Sequence, residues 1–292
     1  MEYFVSTQGC DKNEGTKEKP FRTISKAASL ALAGDIVTVF GGTYREWVKP
    51  AFGGSSGKKR IVYRAAKGEK VIIKGSEQLT GWKKEKGSVW SASVSNSIFE
   101  GAASYGECNP FAKKVWGDWV VWPLEKTDGK SVHLGDVYLN GKSFYEAHSI
   151  EEVCKAEKRL TGYNPPWTKH EEPILEVDQT VYQWFAEVGE KETKIYANFH
   201  NFDPNKELVE ISVRQSCFYP ERTGLDYITV QGFEMCQAAS PWAPPTADQI
   251  GMIGPHWAKG WIIEDCEIFD SKCCSISLGK YRDPENDMYF YT

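Results

Sequence analysis

The stretch that decides the fold is Ile228–Met235, which reads Ile-Thr-Val-Gln-Gly-Phe-Glu-Met. A second stretch, Trp261–Ile268, lies 33 residues further on and reads Trp-Ile-Ile-Glu-Asp-Cys-Glu-Ile. In both stretches apolar residues alternate with polar ones on each side of a turn, which is the pattern of two short strands that each bury one face. Strands that repeat at a fixed period and stack on one another bury a continuous core. The repeat therefore predicts coils of a parallel β-helix, with a further strand beginning at Cys274–Leu278.

The first 75 residues show the same texture of short strands and tight turns. Residues Ile24, Ala27, Ala28 and Ala31 add one helical face, which predicts a helix that opens at Pro20 and ends at Gly34. Exposed strand edges invite other chains to pair, so we expect this helix to cap the open end of the solenoid. The predicted strands are Tyr3–Ser6, Ile36–Phe40, Arg60–Tyr63 and Val71–Ile73.

Between Gln78 and Glu210 the coil pattern disappears. Asn140-Gly141 lies between two apolar runs and predicts a hairpin, because this pair supplies the positive φ angles of a two-residue turn. The stretches Val181–Val188 and Thr193–Asn198 alternate in the same way across a second turn. We therefore expect a mainly β protein, a right-handed parallel β-helix interrupted by an antiparallel β-sandwich. The predicted domains are 1–77, 78–210 for the insertion, and 211–292 for the continuing β-helix.

Composition excludes several classes of function. The chain has 35 Lys or Arg and 40 Asp or Glu, a formal net charge of -5, and no basic run, which argues against nucleic acid or an anionic membrane as a partner. No apolar stretch approaches the ~20 residues of a transmembrane helix. The N-terminus lacks the basic and apolar regions of a signal peptide, so a cytoplasmic location is expected.

Cofactor and metal signatures are also missing from the sequence. The five His are scattered without ligand spacing, and the eight Cys contain no Cys-x-x-Cys, so they are expected to stay reduced, with no metal site. No phosphate loop, nucleophile elbow or dinucleotide fingerprint is present. The sequence therefore predicts no cofactor.

Two loop clusters combine Trp and Asp with Gly and Pro. One contains Asp118 and Trp119, and the other contains Trp242 and Asp248. A Trp face stacks on the C–H side of a sugar, and a neighbouring carboxylate accepts hydrogen bonds from its hydroxyls. These four residues are the candidate substrate-binding residues. The alternative is that each Trp only anchors its loop.

Several motifs carry a family resemblance. The N-terminal run through Gly42-Thr43-Tyr44-Arg45-Glu46-Trp47 resembles the start of pectate-lyase-like β-helix proteins in general. The more specific motifs are Gly117-Asp118-Trp119, His133–Gly141, Ser216–Pro220, Pro241–Gln249 and Lys259–Asp265. Together they resemble the glycoside hydrolase family 120 β-xylosidases, in which a β-sandwich interrupts a β-helix.

The resemblance implies release of xylose from xylo-oligosaccharides by a retaining mechanism, with an Asp nucleophile and a Glu acid/base about 5–5.5 Å apart. In the family both carboxylates come from later coils, so no catalytic residue is assigned to this chain, and a missing C-terminal half or a homo-oligomer is expected to complete it. Whether the chain itself is an enzyme is left open. One alternative is a catalytically silent carbohydrate-binding fragment, and another is a β-helix polysaccharide lyase.

Overall fold

The structure is a computed structural model that describes residues 1–101, 108–115, 132–162, 170–242 and 250–279. In these ranges, strands outnumber two short α-helices, Ile24–Ala28 (α1) and Ile150–Cys154 (α2), and two 3-10 turns, Asn96–Ile98 and Val177–Val181. The strands are β1 (Glu2–Val5), β2 (Ile36–Val39), β3 (Gly42–Arg45), β4 (Ile61–Ala65), β5 (Val71–Lys74), β6 (Ser76–Gln78), β7 (Lys83–Lys86), β8 (Val89–Ser95), β9 (Val137–Leu139), β10 (Lys142–Ser143), β11 (Tyr145–Glu146), β12 (Gln183–Val188), β13 (Glu192–Asn198), β14 (Val209–Ser212), β15 (Ile228–Gln231), β16 (Glu234–Ala238), β17 (Ile262–Glu264) and β18 (Glu267–Ser271).

The chain divides into two compact units. Unit 1 consists of Met1–Ser76 and the described part of Arg214–Thr292, and unit 2 consists of Glu77–Val213. No helix in the described ranges is both long and apolar enough to cross a membrane.

Unit 1 is built on two sheets of parallel strands. The first has the order β1-β2-β4-β15-β17, and the second has the order β18-β16-β5-β3. Val230 pairs with Ile263 in the first sheet and Met235 pairs with Ile268 in the second, so the 33-residue offset is the register of the structure. Single parallel bridges that link Val48, Phe218, Ile253 and Ile276 form a third, narrower face. Each coil thus contributes one segment to each of three faces, and the predicted β-helix is confirmed.

Corners of the coils are formed by residues in the left-handed backbone region. Tyr227, Gly232 and Gln237 have φ angles of 53°, 77° and 61°, and the residues 33 positions later, Gly260, Asp265 and Asp270, have φ angles of 68°, 53° and 52°. Residues other than Gly rarely adopt this backbone region. Its recurrence at three matching positions shows that the corners repeat as well as the strands.

Helix α1 is shorter than the sequence predicted. It begins at Ile24 because the Thr23 hydroxyl accepts a hydrogen bond from the Lys26 N–H and caps the helix. The Glu46 carboxylate also accepts from the N–H groups of Ile24 and Ser25, at 2.9 and 2.7 Å. Pro20 therefore precedes the helix rather than opening it, and the helix ends at Ala28 rather than near Gly34. The apolar face was predicted correctly, since the four residues that defined it are fully buried.

Unit 2 contains two further sheets, with the orders β10-β9-β14-β6 and β11-β12-β13-β8-β7. Asn140 and Gly141, with φ angles of 51° and 85°, join β9 to β10 in the predicted hairpin. Strands β12 and β13 pair antiparallel, as predicted, with Trp184 opposite Ala197. Its first and last strands, β6 and β14, are neighbours in one sheet.

Candidate functional site

The sequence-predicted site residues fall in two groups. Asp118, Trp119 and Asp248 lie outside the described residues. Trp242 is described, half-buried, at the end of the segment Ala239–Trp242 that follows β16. Of the four candidates, Trp242 is therefore the one that lies in the described part of the chain.

Trp242 follows a segment that the solenoid holds firmly. The N–H of Ala239 donates to the Arg214 carbonyl at 2.8 Å. The buried Ser240 hydroxyl accepts from the N–H of Cys273, 33 residues later, at 3.3 Å. Pro241 is buried as well. This support fixes the backbone before Trp242, as a ring that orients a ligand requires.

A row of polar groups, buried at Ser76 and Gln237, lies at the corner that Gln237 forms. Gln237 is 1% exposed, and its amide oxygen accepts from the Ser76 hydroxyl at 2.5 Å. One Arg45 guanidinium nitrogen donates to the Ser76 carbonyl and hydroxyl oxygens, at 3.0 and 3.2 Å. Arg45 thus donates to Ser76, and Ser76 donates to Gln237. This chain of hydrogen bonds connects Arg45 and Gln237, which come from different coils.

Asp270 occupies the position of Gln237 in the next coil. Partial burial raises the pKa of this carboxyl, and the positive charge of Lys74 opposes the rise. Neither Gln237 nor Asp270 was predicted from the sequence. The signal that could have found them is their shared position in the repeat, two residues after Met235 and Ile268, the last alternating residues of the second-sheet strands.

The acids at the other corner form a separate cluster. Glu234 pairs in register with Glu267, and Lys70 forms an ion pair with Glu234 at 2.8 Å. Together with Glu69 and Asp265 these groups line a shallow pocket of about 290 Å³. Stacked carboxylates with one ammonium partner suit a solvated surface better than a sugar pocket, because the described lining contains a single aromatic ring, that of Phe233.

Unit 2 has its own pocket, of about 390 Å³. It is lined by Glu146, Glu151, Glu152, Lys155, Glu157, Arg159 and Gln183. Glu146 is already occupied, since its two oxygens contact the backbone N–H and the Nδ1 atom of His133 at 2.8 and 2.5 Å. In the described ranges no group of three or more His, Cys, Asp or Glu is placed to hold a metal ion.

Comparisons with known proteins agree with this architecture. Residues 79–211 match a family described as "Glycoside hydrolase 120, insertion domain", and residues 7–54 match a protein family of unknown function, DUF1565. The solved structure described as "The complex structure of XylC with xylose" is similar over 94% of this chain, at 53% sequence identity and a TM-score of 0.87. The uncharacterized protein YwoF of Bacillus subtilis (strain 168) is 46% identical over 72 residues, which are 25% of this chain. The chain covers 41% of the XylC chain and 15% of YwoF.

Proposed function

Because this chain is a glycoside hydrolase family 120 β-xylosidase-like protein, we propose that it forms part of an enzyme that releases xylose from xylo-oligosaccharides. The observation that carries the proposal is the 53% identity to XylC, solved with xylose, over 94% of this chain. Since the chain spans 41% of that relative, activity is proposed for the longer assembly and not for these residues alone.

In this proposal the chain supplies a wall of the sugar site, and the reacting carboxylates come from coils that stack beyond β17 and β18. A retaining mechanism needs a nucleophile and an acid/base about 5–5.5 Å apart, on opposite sides of the scissile bond. In unit 1, Trp242 would stack on the apolar face of the xylose ring, with Asp248 as a further substrate contact. Asp118 and Trp119 are proposed as substrate contacts of unit 2. The wall would orient the sugar and exclude water, which lowers the barrier without a proton transfer from this chain.

The proposed organisation is a β-helix of residues 1–77 and 211–292 with an inserted β-sandwich of residues 78–210. Its support is the parallel register between β4 and β15, which pairs Val62 with Thr229 across the insertion. Trp242 and the polar row of Arg45, Ser76 and Gln237 all belong to the solenoid unit.

A second candidate is a carbohydrate-binding fragment without catalysis. It is favoured by the share of the relative that this chain covers, and by the absence of any assigned nucleophile or acid/base. The two candidates differ in hydrolysis and agree in binding.

The test is xylobiose binding by calorimetry together with hydrolysis of p-nitrophenyl β-xyloside. We expect this chain to bind xylobiose without turnover, and a polypeptide that adds the following coils to hydrolyse the xyloside. Trp242→Ala should weaken binding about tenfold, as expected for loss of one stacking ring. The matched control is Trp90→Ala in unit 2, which should leave binding unchanged. Binding unaffected by Trp242→Ala would remove that residue from the site, and no hydrolysis by the longer polypeptide would refute the enzyme.

A further inference from the structure

Trp257 is an exposed ring on a strained backbone. Its indole side is open to solvent, with 54% of the residue exposed. His256 and Trp257 are consecutive non-Gly residues with φ angles of 48° and 61°. A left-handed conformation at two adjacent bulky residues is costly and persists only where the surroundings impose it.

The surroundings do impose it. The Nδ1 atom of His256 lies 2.8 Å from the Pro220 carbonyl oxygen, and the Trp257 N–H donates to the Leu278 carbonyl at 2.6 Å. Gly279 fits so closely that a Cβ there would lie 2.8 Å from the Cα of His256. The backbone that carries the indole is therefore clamped on both sides.

The next described coil covers the backbone of Trp257. Ile253 pairs with Ile276 in the parallel ladder of the third face, so Leu278 and Gly279 belong to that next coil. The Trp257 N–H donates to Leu278 of that coil, and the residue is still exposed.

The described charged residue nearest to Trp257 along the chain is paired. Lys259 lies two residues after Trp257 and forms an ion pair with Asp226 at 3.6 Å. The Lys259 N–H donates to the same carboxylate at 2.9 Å. A surface with a paired cation and anion beside an aromatic ring suits a neutral sugar better than an acidic one.

We propose that Trp257 is a stacking platform for a neutral pyranose. It would be a second sugar-contacting ring, in addition to that of Trp242. The indole presents a flat apolar face to the C–H side of the ring, and its clamped backbone removes the ordering cost of binding. The choice of xylo-oligosaccharides as the ligand rests on the proposed function, whereas the platform itself rests on the geometry above.

The experiment measures calorimetric binding of xylotriose and cellotriose to the whole chain and three variants. Trp257→Ala should bind the preferred sugar about tenfold more weakly than the unmodified chain, and Trp257→Phe should stay within about threefold, because a phenyl ring retains most of the stacking face. Leu278→Ala is the control, since it removes a 69% exposed apolar side chain next to Trp257 without removing a ring. It should leave affinity unchanged. All variants should keep the melting temperature of the parent, since the ring is exposed.

Several outcomes would overturn the platform. These are equal affinity of Trp257→Ala and the parent, a loss shared equally with Leu278→Ala, a drop in melting temperature that accounts for the weaker binding, and no binding of either sugar by the parent. Binding of cellotriose alone that depends on Trp257 would support the platform and count against xylose as the substrate. Hydrolysis by the longer polypeptide tests the proposed function separately.

Discussion

The third and fourth coils of the solenoid share one pattern and differ in burial. In the third coil, β15 and β16, the inward residues Val230, Phe233 and Met235 are fully buried. Their counterparts in the fourth coil, β17 and β18, are Ile263, Cys266 and Ile268, which are only partly buried. Outward apolar residues of the fourth coil are exposed too, with Ile262 at 40% and Phe269 at 43%.

The two coils show that the orientation of a side chain and its burial have different causes in a solenoid. Alternation of apolar residues fixes which side chains point inward and at which register. How completely those side chains leave water depends on having a coil on both sides, because each repeat contacts only its neighbours. Matching substitutions should therefore lower the free energy of unfolding by different amounts in the two coils.

The largest expected effect is on the paired inward residues. Met235→Ala should lower the free energy of unfolding by about 2–5 kcal/mol, because it opens a cavity in a closed part of the core. Ile268→Ala should cost about 1 kcal/mol, because part of that side chain is already in contact with water. Denaturant unfolding of the two variants measures the difference. Equal losses would mean that the fourth coil is covered as completely as the third.

The corner residues give the second comparison. Gln237→Ala should cost about 1–3 kcal/mol, because it leaves the buried Ser76 hydroxyl without its amide acceptor. Asp270→Ala removes the matching side chain of the next coil, which is exposed, and should change stability by less than about 0.5 kcal/mol. Thermal unfolding of both variants tests this order, and a reversed order would show that the Arg45–Ser76–Gln237 row does not stabilise the corner.

The smallest expected effect is pH dependence at Asp270. Partial burial raises the pKa of this carboxyl in the folded state above its usual 3.8. The folded protein thus holds the proton where the unfolded chain has lost it, so the contribution to stability is complete below about pH 3.8 and is lost as pH rises through the folded pKa. Asp270→Asn removes this loss and should gain stability relative to the parent between pH 3 and 7, by less than about 1 kcal/mol because solvent screens an exposed group.

Unfolding free energies of parent and Asp270→Asn at several pH values measure the gain. Gln237→Asn is the control, since no ionisable group is changed and its difference from the parent should not vary with pH. A difference for Asp270→Asn that stays constant with pH would show that this carboxyl has the same pKa in both states.

Much of the fold could be predicted from periodicity and turn chemistry. The 33-residue register and the Asn140-Gly141 hairpin followed from local rules that tertiary structure did not override. The ends of α1 could not be predicted, because the cap at Thr23 and the distant carboxylate of Glu46 set its start. For the candidate site, Trp242 was predicted from its Pro-rich loop. Gln237 and Trp257 were not predicted as site residues, because their importance comes from backbone angles and from partners in other coils.

The pairing of β6 with β14 has a consequence for how the chain assembles. The N–H of Arg214 donates to the Gly75 carbonyl at 2.8 Å, so the residues that flank the insertion are hydrogen-bonded to each other. Closing a flexible loop of well over a hundred residues would cost about 4 kcal/mol in chain entropy. Once unit 2 has folded, its end strands hold these two residues together and the entropy has already been lost. Strand β15 then pairs with β4 at a smaller further loss of chain entropy, because the loop between them is already closed.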